Sequence, residues 1–371
     1  MDNTESYERY QRQVILPGFG EGGQQKLREA RVLVIGAGGL GCPVLQYLTA
    51  AGIGTIGIVD DDVVALNNLQ RQVLYGVKDI GLSKAETAAN ILQQLNPGIE
   101  IIPYNERLTV QNALVLLDDF DIIIDGTDNF ATRYMINDAC VLLKKPLVYG
   151  AVSQFEGQVS IFRNQSHDDV NYRDIFPDPP KESEILNCAQ GGVLGTMTGI
   201  IGTMMANETI KLIAGIGEPL VNQLLTYNAF TNEVYQLSLS VGKETRSRAP
   251  ATQSDFLKTD YMWLCSSPLT NEDIDTETFN DFIEKGNADV IDVREPYELP
   301  EANEFPNLRI PLSQLTINSA EITSDIVITF CQTGDRSLHA ARILKDIFGE
   351  KKKIYSLRGG ILKWKKQKQT V

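Results

Sequence analysis

The sequence predicts an α/β protein in two parts: a doubly wound, mostly parallel sheet with an antiparallel extension, then a smaller α/β domain. Three observations carry this. Short apolar runs alternate with helical patterns through the first half, which implies right-handed crossovers between parallel strands. After Gly150, Gly157–Phe162, Gln223–Asn228 and Glu233–Leu239 alternate with period two, as half-buried antiparallel strands do. Gly242–Gln253 has no apolar pattern and reads as a linker, beyond which strand and helix signals resume. The 371 residues exceed one ordinary domain, about two to three being expected. Boundaries are drawn at 1–241, 242–270 (linker) and 271–371.

Each element has its signal. Arg31–Ile35 (R-V-L-V-I) is a buried strand that runs into a glycine loop and the helical Leu40–Ala51. Thr55–Val59 is the second strand and ends in the acidic run Asp60–Asp62. Ser83–Leu95 has helical apolar spacing and stops at Asn96-Pro97-Gly98. Ile99–Pro103, Asp121–Asp125 and Pro146–Val152 read as strands, with helices over Val110–Leu117 and Ala131–Leu143. Asn164–Gln190 is polar, contains D-P-P-K, and is expected to be a mobile, functional loop. Gly191–Gly215 is apolar, but Asn207, Glu208 and Lys211 interrupt it; a buried helix packed through small residues is expected, not a membrane span. In the smaller domain Asp275–Lys285 is amphipathic, Asp289–Asp292 and Ile326–Phe330 are strands, and Leu338–Ile347 is helical.

Composition excludes several classes. With 34 Lys+Arg against 48 Asp+Glu the net charge is −14, so no basic footprint for nucleic acid exists. The N-terminus lacks a basic region followed by an apolar run, which argues against a signal peptide and for the cytoplasm. Five cysteines (42, 140, 188, 265 and 331) form no C-x-x-C pair, and His167 and His339 are the sole histidines. A disulfide framework, a zinc ribbon and multi-histidine chemistry are therefore not expected.

Gly36-Ala37-Gly38-Gly39-Leu40-Gly41 matches G-x-G-x-x-G between a strand and a helix. Such a loop lets backbone approach phosphate closely and offers free N–H groups at a helix start, the Rossmann-like arrangement. Asp60, at the end of the second strand, is placed for ribose hydroxyls. Alone, the loop suggests a nicotinamide-dependent oxidoreductase. The residues that follow argue otherwise: N-N-L-Q-R-Q (Asn67–Gln72), S-K-A-E (Ser83–Glu86) and D-G-T-D-N (Asp125–Asn129). Arg71 and Lys84 bring cations that hydride transfer does not need and a triphosphate does. Asp128, beyond a strand's C-terminal end, suits Mg²⁺, with Asn129 a neutral partner beside it. A surface ion pair for Arg71 or a helix cap at Asp128 is the competing explanation of each taken singly.

R-Y-Q-R-Q (Arg9–Gln13), G-A-G-G-L-G, N-N-L-Q-R-Q, S-K-A-E, D-G-T-D-N and E-G-Q-V-S-I-F (Glu156–Phe162) occur in one order. Together they resemble the ubiquitin-activating-enzyme-like adenylyltransferases of molybdopterin and thiamine biosynthesis, over about residues 5 to 240. The resemblance implies ATP-dependent adenylation of the C-terminal glycine of a small ubiquitin-like sulfur carrier ending in Gly-Gly. The molybdopterin synthase small subunit is the first choice of carrier, and the thiamine sulfur carrier is the alternative. It assigns Gly39, Asp60, Asn68, Arg71, Lys84, Asp128 and Asn129 to ATP or its Mg²⁺; Gly36, Gly38, Gly41, Asn67 and Gln70, from the same loop and motif, complete the expected ATP site. It also implies that Arg12 reaches the partner protomer's phosphates, hence a homodimer. Many members of that family hold a zinc with one C-x-x-C in the loop and another near the domain's end. Ser166–Asp174 and G-K-E-T-R-S-R contain no cysteine here, so no zinc is expected.

Cys188, in L-N-C-A-Q-G-G, precedes the apolar helix, where a helix start favours thiolate. The resemblance makes it a candidate for covalent linkage to the carrier. Cys42 and Cys140 lie in apolar helical patterns and read as core, as does the partnerless Cys265. Cys331 opens C-Q-T-G-D-R-S between a strand and a helix, a loop whose N–H groups are expected to point at the sulfur, with Arg336 adding a cation. Together with I-D-V-R-E-P-Y-E (Ile291–Glu298) and L-R-G-G-I-L-K-W (Leu357–Trp364), it resembles a rhodanese domain. The implied role is a persulfide on Cys331, loaded from a donor such as a cysteine desulfurase or thiosulfate. The C-x4-R spacing departs from the C-x5-R loop of phosphatases and favours sulfur over phosphate. The expected activity is that of an adenylyltransferase–sulfurtransferase; a scaffold with an inactive fold is the non-enzymatic rival.

Overall fold

The side chains of Val32, Leu33, Val34 and Ile35 are almost wholly buried, and this run forms a central strand of an eight-stranded sheet. The computed structural model of the chain describes residues 3–166, 168–177, 192–242, 249–261, 273–295, 298, 302–332 and 334–368. These fall into two compact units, residues 3–261 and residues 273–368.

In chain order the first unit has α1 (Asn3–Val14), α2 (Gly20–Glu29), β1 (Arg31–Ile35), α3 (Gly41–Ala51), β2 (Thr55–Val59), α4 (Lys84–Leu95) and β3 (Glu100–Tyr104). There follow α5 (Ala113–Asp118), β4 (Ile122–Asp125), α6 (Phe130–Leu143), β5 (Leu147–Ser153), β6 (Glu156–Phe162), α7 (Tyr172–Ile175), α8 (Gly195–Ala214), β7 (Gln223–Asn228), β8 (Glu233–Ser238) and α9 (Gln253–Lys258). Strand order is β3-β2-β1-β4-β5-β6-β7-β8. The first five strands are parallel, and β6, β7 and β8 continue the sheet antiparallel. Alternate residues of β1 feed opposite faces, as the pleat demands. Val32 and Val34 meet α3, α4 and α8 on one side; Leu33 and Ile35 meet α5 and α6 on the other. The expected mostly parallel sheet with an antiparallel extension is what forms.

The apolar stretch is α8, buried against α3, β5 and β6. Its small residues matter: a Cβ on Gly202 would lie 2.5 Å from the Leu40 carbonyl oxygen, so only glycine lets the two helices approach this closely. Two differences from the sequence reading have local causes. The helix expected over Val110–Leu117 starts later, because the Asn112 side chain accepts the N–H of Thr109 at 2.7 Å and donates to the Arg107 carbonyl at 2.9 Å, holding a turn. Part of the stretch read as linker is folded: Thr252 caps α9, and Phe256 and Tyr261 are buried against the α5–α6 face. The sequence reading places no element over α1 or α2. No helix is long and apolar enough to cross a membrane, among the described residues.

The second unit has β9 (Asp273–Ile274), α10 (Thr276–Lys285), β10 (Asp289–Asp292), β11 (Leu308–Arg309), β12 (Ile326–Phe330), α11 (Asp335–Phe348), β13 (Lys353–Leu357) and α12 (Gly360–Lys368). Its five strands are all parallel, in the order β11-β10-β12-β13-β9. Helices cover both faces, with Ile291, Val327 and Leu344 in one core and Phe279, Phe330 and Trp364 in the other. The central β12 delivers Cys331 at its C-terminal end.

Candidate functional site

In the first unit strand order reverses between β1 and β4, and at such a point a crevice opens beyond the C-terminal strand ends. Two loops meet there. Gly36 follows β1 with φ +93°, and its N–H bonds the Val59 carbonyl at 2.8 Å. Gly126 follows β4 and donates to the Ile35 carbonyl at 2.8 Å. A Cβ on Gly41 would fall 1.9 Å from the Gly36 oxygen, so the tight entry into α3 tolerates no side chain. Asp60 anchors the loop: one carboxylate oxygen accepts the N–H of Ala37 at 2.8 Å, the other that of Asp62 at 2.9 Å. Burial raises the Asp60 pKa, with Lys84 and these N–H groups opposing. Tyr75 closes the loop from beneath, donating its hydroxyl to the Ala37 carbonyl at 2.9 Å.

Asn67, Asn68, Gln70 and Arg71 surround a short 3-10 turn, Leu66–Asn68. The Asn68 side chain accepts the N–H of Ala65 at 3.2 Å and donates to Asn67 Oδ1 at 3.2 Å. Arg71 donates to the Asn67 carbonyl at 3.0 Å, and Gln70 is exposed. Thr198 of α8 lies against this segment, donating to the Arg71 carbonyl at 3.3 Å, and also against Gly39, where an added Cβ would come within 2.9 Å of its methyl. The Lys84 amino group is paired with Asp62 at 2.8 Å. The sequence reading gave that lysine no partner, and the structure supplies one.

Asp128 is exposed beyond β4. Asn129 caps α6, its Oδ1 accepting the N–H of Thr132 at 2.9 Å, so this neighbour rather than Asp128 holds the cap position. Beneath them lies the buried pair Asp125–Arg133, 3.8 Å apart, with Arg133 donating to the Thr127 carbonyl at 2.8 Å. Burial raises the Asp125 pKa against the pull of Arg133.

Arg12 is not brought to this crevice. It is exposed in the last turn of α1. Around it, Tyr10 packs on Gly52 and takes a hydrogen bond from Asn96 at 2.7 Å, and Gln13 donates to the Ala51 carbonyl at 2.8 Å. All three anchors lie at the C-terminal ends of α3 and α4, while the glycine loop is at the start of α3, about 16 Å away by helix rise.

In the second unit Cys331 is fully buried, and its sulfur accepts the N–H of Gly334 at 3.1 Å. Several such bonds were expected; among the described residues one is present. The loop is locked from the side by α12, whose Ile361 and Leu362 donate to the Cys331 and Gln332 carbonyls at 2.9 and 3.2 Å. Gly360, with φ +60°, makes that approach possible, since a Cβ there would lie 2.6 Å from the Cys331 oxygen. Arg336 reaches Cys331 and also binds Glu298 through two bonds, at 2.5 and 2.6 Å. Arg294, wholly buried, is held by Asp292 in the same two-pronged way and touches Gln332 Oε1 at 3.3 Å.

Burial pushes the Cys42 thiol up to about 12 and raises Cys140 well above the usual range, as befits core cysteines. Cys188 and Cys265 lie outside the described residues, as does His167. Sequence reasoning passed over Asp62, Gln72, Tyr75, Arg133, Arg294 and Glu298 as site residues. Gln72 is buried with an unpartnered Oε1, and its amide nitrogen lies 3.6 Å from where a Cβ on Gly38 would be. Its place in N-N-L-Q-R-Q was the available signal. Among the described residues no cluster of three His, Cys, Asp or Glu could hold a metal ion.

A glycine loop at a sheet's switch point, together with a strand–cysteine loop–helix unit, defines a nucleotide-binding α/β protein joined to a thiol-bearing domain. The chain belongs to the ThiF family, whose profile matches residues 10–248, and it carries a rhodanese-like domain, matched over residues 275–367. It is 42% identical over 383 residues to the "Probable adenylyltransferase/sulfurtransferase MoeZ" of Mycobacterium tuberculosis, covering 99% of this chain and 95% of the relative. The "Adenylyltransferase and sulfurtransferase MOCS3" of Culex quinquefasciatus is 38% identical, covering 94% and 84%. The "Sulfur carrier protein adenylyltransferase" of Thermus thermophilus is 48% identical over 238 residues, 63% of this chain and 88% of that one. Among solved structures, Escherichia coli MccB shares the fold with a TM-score of 0.57 at 20% identity, over 65% of this chain and 72% of that one. The chain is thus an enzyme, of the adenylyltransferase/sulfurtransferase kind.

Proposed function

We propose that this enzyme uses ATP to adenylate the C-terminal glycine of a ubiquitin-like sulfur carrier ending in Gly-Gly, and then replaces AMP with sulfur from a persulfide on Cys331. The product is a thiocarboxylate. A carboxylate is a poor electrophile, and a mixed anhydride with AMP gives it a leaving group. The observation that carries the reading is that one chain holds both halves: a glycine loop bonded to Asp60, and a buried thiol reached by Arg336. The molybdopterin synthase small subunit is the carrier we assign, the thiamine sulfur carrier being the alternative, and the cytoplasm is the setting. The domains assigned are adenylyltransferase 1–241, linker 242–270 and rhodanese 271–371.

Two observations support ATP as the ligand: Gly36 and Gly41 let the loop backbone fold tightly on itself, a Cβ at either meeting a neighbouring carbonyl oxygen, and the buried Gln72 keeps an Oε1 without a partner. Gly38 and Gly39 lie at the start of α3, where N–H groups face anions. We assign Asp60 to the ribose, Arg71 and Lys84 to phosphate, and Asn67, Asn68, Gln70 and Asn129 to the rim. Asp128 would hold Mg²⁺, which neutralises charge on the departing pyrophosphate. Lys84 must then exchange Asp62 for phosphate when ATP enters.

Because α1 fastens Arg12 at the far end of α3, we assign Arg12 to a partner protomer's crevice, and so a homodimer. Cys188 is assigned as the thiol that links to the carrier. The reading is tested by carrier-dependent exchange of pyrophosphate into ATP and by a thiocarboxylate mass on the carrier. Failure of exchange with every Gly-Gly-ending carrier overturns it.

A further inference from the structure

The loop around Cys331 is less cationic than its arginines suggest. Arg336 meets Glu298 through two short bonds, and Glu298 is itself fixed, accepting the N–H of Glu295 at 2.8 Å. The pair is about four-fifths buried. Hydrogen bonding to Arg336 holds Glu298 below the usual carboxylate range. The second guanidinium, Arg294, is matched by Asp292 with no exposure at all. A third, Arg309, donates to the Glu295 and Glu298 carbonyls at 3.2 and 3.4 Å, and so braces this turn from the surface. At the same end of the sheet, Asp275 is lowered first by its helix-cap bonds from Thr278 and then by Arg358 and Lys363, so those two cations face another carboxylate. Arg336 and Arg294 therefore each have a carboxylate counter-charge, whereas Arg309 is held by backbone carbonyls. Cys331 is also fully buried, where concentrating negative charge costs most.

Two classes of donor differ in charge. With thiosulfate, the Cys331 thiolate attacks the outer sulfur; the S–S bond breaks, sulfite leaves with the electron pair, and Cys331 carries a persulfide. Three negative charges gather at the loop. With a persulfide R–S–S⁻, the same attack on the terminal sulfur releases R–S⁻, and two charges gather. We infer that Glu298 sets this discrimination: it positions Arg336 over the sulfur while cancelling its charge, so that singly charged persulfides are accepted ahead of the thiosulfate dianion. The inference rests on the reading of Cys331 as a persulfide carrier. Glu298 is a positioning residue, acting through Arg336.

The test uses the full-length protein and follows the added sulfur mass on Cys331 against time, with thiosulfate or cysteine persulfide as donor. Glu298→Gln keeps a hydrogen bond to Arg336 and removes the counter-charge. It should raise the second-order loading rate from thiosulfate about tenfold and change that from cysteine persulfide less than threefold. Glu298→Asp, which restores the charge, should return the wild-type preference. Equal losses with both donors would make Glu298 a structural prop and overturn the inference, as would no change with either. Salt dependence of the wild-type protein gives an answer without any variant. A compensated site predicts a thiosulfate loading rate nearly flat in ionic strength, and a steep fall with salt would reveal an uncompensated cation. Should wild-type Cys331 take sulfur from neither donor, the sulfurtransferase reading itself falls, whereas loading that is indifferent to Glu298→Gln sinks only the inference.

Discussion

The guanidinium of Arg173 holds the carboxylate of Asp138 through two hydrogen bonds, Nε to Oδ1 at 2.8 Å and Nη2 to Oδ2 at 2.7 Å, with both side chains excluded from water. Tyr261 completes the group by donating its hydroxyl to Asp138 Oδ2 at 2.8 Å. Nearby, Asp174 accepts the N–H of Gly242 at 3.0 Å. The segment after β6 is thereby tied to α6 and to the stretch that follows β8. Those are the two places where the family resemblance puts zinc-binding cysteines, and where this chain has none.

Asp138→Asn should destabilise the protein by about 3–5 kcal/mol, the usual cost of leaving one member of a buried ion pair uncompensated. Tyr261→Phe should cost about 1 kcal/mol, one hydrogen bond. Urea unfolding of the wild type and both variants measures this. Treatment of the wild type with a zinc chelator should leave Tm unchanged, and metal analysis should find no stoichiometric zinc. A chelator-induced drop in Tm would mean that a metal, not this cluster, fastens the segment.

The adenylation half should be independent of the thiols. Cys188→Ala and Cys331→Ala should keep carrier-dependent ATP–pyrophosphate exchange, because the residues assigned to ATP all precede residue 130. Asp128→Ala should lose roughly 10²–10³-fold, as when a group stabilising transition-state charge is removed. Full exchange by Asp128→Ala would take that carboxylate out of the metal site.

Complementation tests the dimer. Arg12→Ala and Asp128→Ala, each inactive alone, should recover part of the exchange activity when mixed under conditions that swap subunits. One composite crevice of the mixed dimer then has both residues intact. If subunit exchange is verified and activity stays at baseline, Arg12 does not act across a dimer.

Thiol reactivity should follow burial. With its pKa pushed up to about 12, Cys42 is thiolate in only about 1 part in 10⁴ at pH 8. Burial also raises the Cys140 thiol well above its usual range. Iodoacetamide at pH 8 should leave both unlabelled in the native protein and modify them after unfolding. After incubation with a persulfide donor, the added sulfur should map to Cys331, and Cys331→Ala should take none. Sulfur found on Cys188 instead would reverse the proposed order of the two thiols.

The chain order of its residues was enough to determine the fold class and the place of both loops. The reason is locality: period-two and helical spacing act over a few residues, and Gly36–Gly41 and Cys331–Ser337 each sit at a strand end that their own neighbours build. The late start of α5 was local too, but it hung on a side chain competing with the helix backbone, which apolar spacing does not register. Tertiary structure alone decided which charges are spent. Lys84 finds Asp62 22 residues away, Arg336 finds Glu298 at 38, and Asp138 takes Tyr261 from 123 residues along the chain. It also decided that Gln72 is buried under the glycine loop and that Arg12 stands at the opposite end of α3. Whether a cation is free for a ligand depends on which carboxylate the packing of apolar faces carries to its side, and no window of sequence contains both partners.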